Sequence, residues 1–104
     1  MINLQELQRK IYQNKVNRNF NVTDVGKEIV LMVEELGELA NAYKRSDQKP
    51  APDISEKVDM VDAIGDLMIY CLGLCEMLEV DSEDVLQATV TRNENRSHEG
   101  WMQV

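Results

Sequence analysis

The sequence predicts an all-α fold, a four-helix bundle built around an antiparallel central hairpin. Three observations carry this. Apolar residues recur at helical spacing nearly throughout, and no stretch alternates strictly for more than a few residues. The two prolines, Pro50 and Pro52, fall together in one polar connection between the two longest helical patterns. At 104 residues, with 43% apolar and 29% charged side chains, the chain can bury one modest core. One helical domain over 1–104 is therefore expected, with 97–104 as a C-terminal tail.

The first helix is expected from about Leu4 to Val16, because Leu4, Leu7, Ile11 and Tyr12 mark one stripe and Asn3 can cap the start. Asn17–Asn21 reads as a polar loop interrupted by Phe20. The second helix begins after Thr23 or Asp24, both capable caps. Val25, Ile29, Val33, Leu36, Ala40 and Tyr43 carry it to about Arg45. Ser46–Pro52 breaks the pattern as the hairpin turn. The third helix restarts near Ile54 and becomes apolar on most faces toward Cys75, as expected of a segment that is central or covered by a second subunit. Asp81 and Ser82 can cap a fourth helix that uses Val85, Leu86, Thr89 and Val90 and fades toward Arg96.

Charge and cysteine usage narrow the function. Nineteen acidic against eleven basic residues give a formal charge of -8, a field that repels nucleic acid and anionic lipid. The longest uncharged apolar run, Leu67–Cys75, is far short of the ~20 residues a membrane span needs, and the polar start is no signal peptide. A cytoplasmic protein with no nucleic-acid or membrane partner is expected. Cys71 and Cys75 lie one helical turn apart, where a disulfide is strained, and read as buried thiols. With His98 the lone histidine, soft ligands are too few for zinc, so any metal here prefers oxygen.

Oxygen ligands are abundant in one pattern. Glu34, Glu35 and Glu38 lie on the second helix, with Glu35 and Glu38 on one face; Asp59, Asp62 and Asp66 follow spacings of three and four on the third. In an antiparallel pair turning near Pro50, Glu38 mirrors Asp62 and Glu35 mirrors Asp66. Four carboxylates brought together repel unless a divalent cation neutralises them, and an all-oxygen set suits Mg²⁺, with Mn²⁺ as a substitute. The competing reading is that these are ordinary solvated helix faces, since Glu is a good helix former. Glu28, Glu56, Glu76, Glu79, Glu83 and Glu94 read as surface or capping residues.

Glu34-Glu35-Leu36-Gly37-Glu38, a polar connection and then Asp62-Ala63-Ile64-Gly65-Asp66 resemble the MazG-like all-α nucleoside triphosphate pyrophosphohydrolase superfamily. The pattern of that superfamily is E-E-x-x-E followed by E-x-x-D. It includes dimeric dUTPases and phosphoribosyl-ATP pyrophosphohydrolases, and the chain is most similar to the phage-type and phosphoribosyl-ATP pyrophosphohydrolase-like branch. The resemblance covers about Thr23 to Arg96. One departure stands out: Ala63 occupies the position of the glutamate three before Asp66, and Asp62 is the substitute. The resemblance implies that Glu35, Glu38 and Asp66 coordinate Mg²⁺, with Asp62 completing the set. Glu34 is a further ligand or orients the water, and Glu34 or Glu38 accepts its proton. Asn93-x-x-Arg96 is similar to an N-x-x-R element of these enzymes, which makes Arg92, Asn93 and Arg96 the phosphate-binding candidates; the alternative is a basic helix end complementing the macrodipole.

The expected activity is Mg²⁺-dependent hydrolysis of a (d)NTP or related nucleotide to the monophosphate and pyrophosphate. Phosphoribosyl-ATP hydrolysis and a non-catalytic acidic interaction module are the alternatives. Gln13, Asn17 and Phe20 are weighed as base-selecting residues against ordinary loop residues, and Trp101 as a subunit contact against a base stack. A homodimer or homotetramer is expected from the apolar third helix and from the resemblance. Gly37 and Gly65, nearly equidistant from the turn, would admit a close neighbour.

Overall fold

A computed structural model describes residues 2–46, 48, 50 and 53–96, so the tail with His98 and Trp101 lies outside the described residues. The order is α1 (Leu4–Asn17), α2 (Val25–Arg45), α3 (Ile54–Met77) and α4 (Ser82–Glu94), with no strand among the described residues. The chain is all-α, as the periodicity predicts, and every expected helix is present. α1 runs one residue further than its stripe suggests.

Local chemistry explains the boundaries. The Asn3 side chain accepts the Glu6 N–H at 3.1 Å, Asp24 accepts that of Lys27 at 3.1 Å, and Asp81 accepts that of Glu83 at 2.8 Å. Each satisfies a donor that a helix start leaves orphaned. α1 and α3 end alike: the Phe20 N–H reaches the Lys15 carbonyl at 2.9 Å and the Val80 N–H reaches that of Cys75 at 3.0 Å. Both closures need a left-handed residue, supplied by Asn19 (φ 60°) and Glu79 (φ 58°).

α3 is the central helix: among the described residues its backbone lies against α1, α2 and α4, whereas the backbone of α2 lies against α3 and α2 meets α1 through side chains. Gln8, 2% exposed, fastens α1 to the α3–α4 turn. Its amide donates to Glu76 Oε1 at 2.9 Å and to the Val80 carbonyl at 2.7 Å, and its oxygen accepts the Ser82 N–H at 2.7 Å. Little apolar surface is fully enclosed. Among the described residues Ala42 and Ala63 are the buried hydrophobic ones, while Val30, Val33 and Leu36 of α2 and Val58, Val61 and Met68 of α3 are all more than half exposed.

The expectation of buried thiols is corrected here, since Cys71 is exposed and Cys75 half-buried. Both face an apolar cavity of about 360 Å³ between α3 and α4, lined also by Leu67, Met68, Val85 and Leu86. Burial and the neighbouring Cys71 push the Cys75 thiol above its ordinary value.

Candidate active site

The α2–α3 hairpin brings two stripes face to face. On α2, Glu35, Glu38, Ala42 and Arg45 follow spacings of three, four and three; on α3, Asp59, Asp62 and Asp66 follow spacings of three and four, with Ala63 beside Asp62. These residues line a single cavity of about 210 Å³. The mirror arithmetic about Pro50 accounts for the pairing, which sets Glu35 and Asp66 on the same cavity. Ala42 (5% exposed) and Ala63 (4%) form the floor. Alanine at both places leaves room above them that longer side chains would fill.

The electrostatics match that crowding. Glu35 is held above the usual carboxylate range, first by its partial burial, then by its neighbour Asp66, and last by the charge of Glu38. Tyr70, one turn beyond Asp66, is pushed up by burial and then by Glu28, Glu35, Asp66 and Glu34. Among the described residues no three acidic, thiol or imidazole side chains already form a cation cage. The carboxylates line the cavity from two opposing walls instead. The donor set is all oxygen, and the repulsion that raises Glu35 is the kind a bound dication relieves, so these residues fit a hard divalent ion.

The other candidates divide. Glu34 is exposed and outside the cavity lining, close enough only to act on Tyr70. Arg92, Asn93 and Arg96 sit at the far end of α4, which does not pack against α2, and none of them lines the acidic cavity. The structure thus does not bring them to the carboxylates within one chain. Gln13 and Asn17 bond each other along α1 at 2.9 Å, and Phe20 carries the Arg18 guanidinium over its ring at 4.6 Å.

Two features escape the sequence reading. Arg45 lines the acidic cavity and lies 3.9 Å from Asp59. Glu28, expected at the surface, is 1% exposed and forms an ion pair with Lys15, itself 9% exposed. Asn21 completes that cluster, donating to Glu28 Oε2 at 2.9 Å and to the Asp24 carbonyl at 2.8 Å. The Lys15 ammonium also lies 6.0 Å from the centre of the Tyr70 ring. A second cavity of about 340 Å³ opens here, lined by Phe20, Asn21, Lys27, Leu31 and Tyr70 among others.

A family model described as phosphoribosyl-ATP pyrophosphohydrolase matches residues 4–93, nearly the whole described chain. The chain belongs to that family. It is thereby a member of the MazG-like nucleotide pyrophosphohydrolase superfamily, and its class is that of a hydrolase. No curated protein matches the sequence. For this pyrophosphohydrolase family member the acidic cavity on the α2–α3 hairpin is the candidate active site, because it is where Glu35 and Glu38 of the E-E-x-x-E motif meet Asp62 and Asp66.

Proposed function

We propose that the protein is a Mg²⁺-dependent nucleotide pyrophosphohydrolase, with Mn²⁺ as a substitute, converting a (d)NTP or related nucleotide to the monophosphate and pyrophosphate. The observation that carries this is the meeting of Glu35, Glu38, Asp62 and Asp66 across one cavity with an alanine floor. These four side chains would hold the ion, with Asp62 standing in for the glutamate that Ala63 replaces. When bound, such an ion offsets phosphate charge and lowers the pKa of a coordinated water. The chain's own carboxylates do the rest: Glu38, exposed at the cavity, accepts a proton from the attacking water, and Glu34 is left with an orienting role from outside it. The Phe20–Leu31–Tyr70 cavity gives a nucleoside a partly aromatic neighbourhood, with Tyr70 one helical turn beyond Asp66 on α3.

Pyrophosphate release from a panel of dNTPs, NTPs and phosphoribosyl-ATP, with and without Mg²⁺, tests the reading. The family match favours including phosphoribosyl-ATP, whose hydrolysis is the second reading. Turnover of at least one member that stops in EDTA is expected. No turnover of any nucleotide would leave the non-catalytic acidic module.

The same reading includes self-association as a homodimer or homotetramer. Large apolar side chains on α2 and α3 stay exposed, and a Cβ built on Gly37 or Gly65 would meet nothing within 4 Å. Faces of that kind are covered in stable proteins, and a second copy is a neighbour always present. Sedimentation of a species at least twice 11.9 kDa is expected; a monomer at micromolar concentration would refute it.

A further inference from the structure

We infer that Arg45 is the phosphate-binding cation of the acidic cavity, exchanging its loose contact with Asp59 for the oxygens of a polyphosphate. The inference rests on the functional reading above and adds a residue to it. Among the described residues that line the cavity Arg45 is the one cation. It continues the stripe that carries Glu38 and Ala42, seven residues beyond Glu38, or ~10 Å along the helix axis. Side chains on a helix lean toward its N-terminus, so Arg45 leans back toward Glu38 and the carboxylates. Between them Ala42 leaves the floor clear, as Ala63 does on α3. A cation bound at the carboxylate end and a guanidinium at the turn end would grip the two ends of one anhydride chain.

The Asp59 contact leaves Arg45 available. At 3.9 Å it is longer than a hydrogen bond, and both side chains are mostly exposed, 61% and 70%. Such a pair contributes little to stability. A phosphate, by contrast, accepts two parallel N–H bonds from one guanidinium, which lysine cannot reproduce. On this view Asp59 competes with the substrate for Arg45. That gives the two partners opposite effects, which a purely structural pair would not have.

The test is calorimetric binding of inorganic tripolyphosphate in the presence of Mg²⁺. Arg45→Gln should weaken binding about 10- to 100-fold, as expected for loss of a charged bidentate contact. Arg45→Lys should restore only part of it. Asp59→Asn should tighten binding severalfold. Circular dichroism and thermal melts of the variants should match the parent, and Mn²⁺ binding without phosphate should persist in Arg45→Gln. If Arg45→Gln and Asp59→Asn weaken binding alike, or neither moves it, the assignment is wrong while the functional reading stands. A parent protein that binds no tripolyphosphate with Mg²⁺ overturns both.

Discussion

Replacing Lys15 with methionine keeps most of the unbranched side chain and deletes the ammonium that faces Glu28. Glu28 is 1% exposed, and its remaining hydrogen bond comes from Asn21 at 2.9 Å. The anion is then buried with one neutral donor, beside a Tyr70 ring whose phenol its charge already perturbs. Removing one partner of a buried pair typically costs about 3–5 kcal/mol, and the slight exposure of Lys15 argues for the lower end. Against a total of about 5–15 kcal/mol for a small domain, a loss near 3 is large and lowers the melting temperature by roughly 10–20 °C. Urea unfolding at fixed protomer concentration in EDTA measures it, because self-association and metal both add stability by mass action. Lys15→Met/Glu28→Gln should recover most of the loss, since a neutral pair leaves no charge uncompensated. A single variant within about 1 kcal/mol of the parent, or a double variant no better than the single, would refute the buried-pair reasoning.

Other outcomes follow from the same geometry. Glu35 has a folded pKa raised above the 4.5 of the unfolded chain. Its ionisation therefore destabilises the metal-free fold fully above the raised value. That penalty fades as pH falls through the raised value and is gone below 4.5. Urea melts of parent and Glu35→Gln in EDTA should diverge at neutral pH, with the variant more stable, and converge in acid; a pH-independent difference contradicts it. Glu38→Gln and Asp62→Asn should each lower the rate of pyrophosphate release by about 10²-fold or more with unchanged helical dichroism. Retained activity in Asp62→Asn would show that it does not replace the glutamate absent at position 63. Glu79→Gly should stabilise by about 0.5–1 kcal/mol in thermal melts, because glycine adopts the left-handed backbone without a Cβ penalty.

Much of the fold is legible because the signals are local. Asn3, Asp24 and Asp81 each begin a helix where a short acceptor side chain precedes an apolar period. The acidic cavity is legible because hairpin symmetry converts sequence distance from Pro50 into spatial proximity, which places Glu35 against Asp66. What escapes depends on how helices sit against each other. Glu28 looks like any first-turn glutamate, and its burial comes from Lys15 of α1 and Asn21 of the following loop closing over it. Cys71 and Cys75 lie in the most apolar run, yet among the described residues α4 leaves an open apolar cavity on that side of α3. Arg45 reads as a basic helix end until Ala42 and Asp59 place it on the cavity wall. Arg92 and Arg96 carry the right chemistry, but α4 leans on α1 and α3, away from α2.

Direct titration with Mn²⁺, followed by electron paramagnetic resonance, tests most simply whether the facing helices make an ion site. Saturable binding is expected in the parent, competed by Mg²⁺ and weakened at least about tenfold in Asp66→Asn and in Glu38→Gln, each of which removes one charged oxygen ligand. Binding that is absent, or equally strong in both variants, would place the ion elsewhere or nowhere and leave the acidic hairpin as a solvated surface.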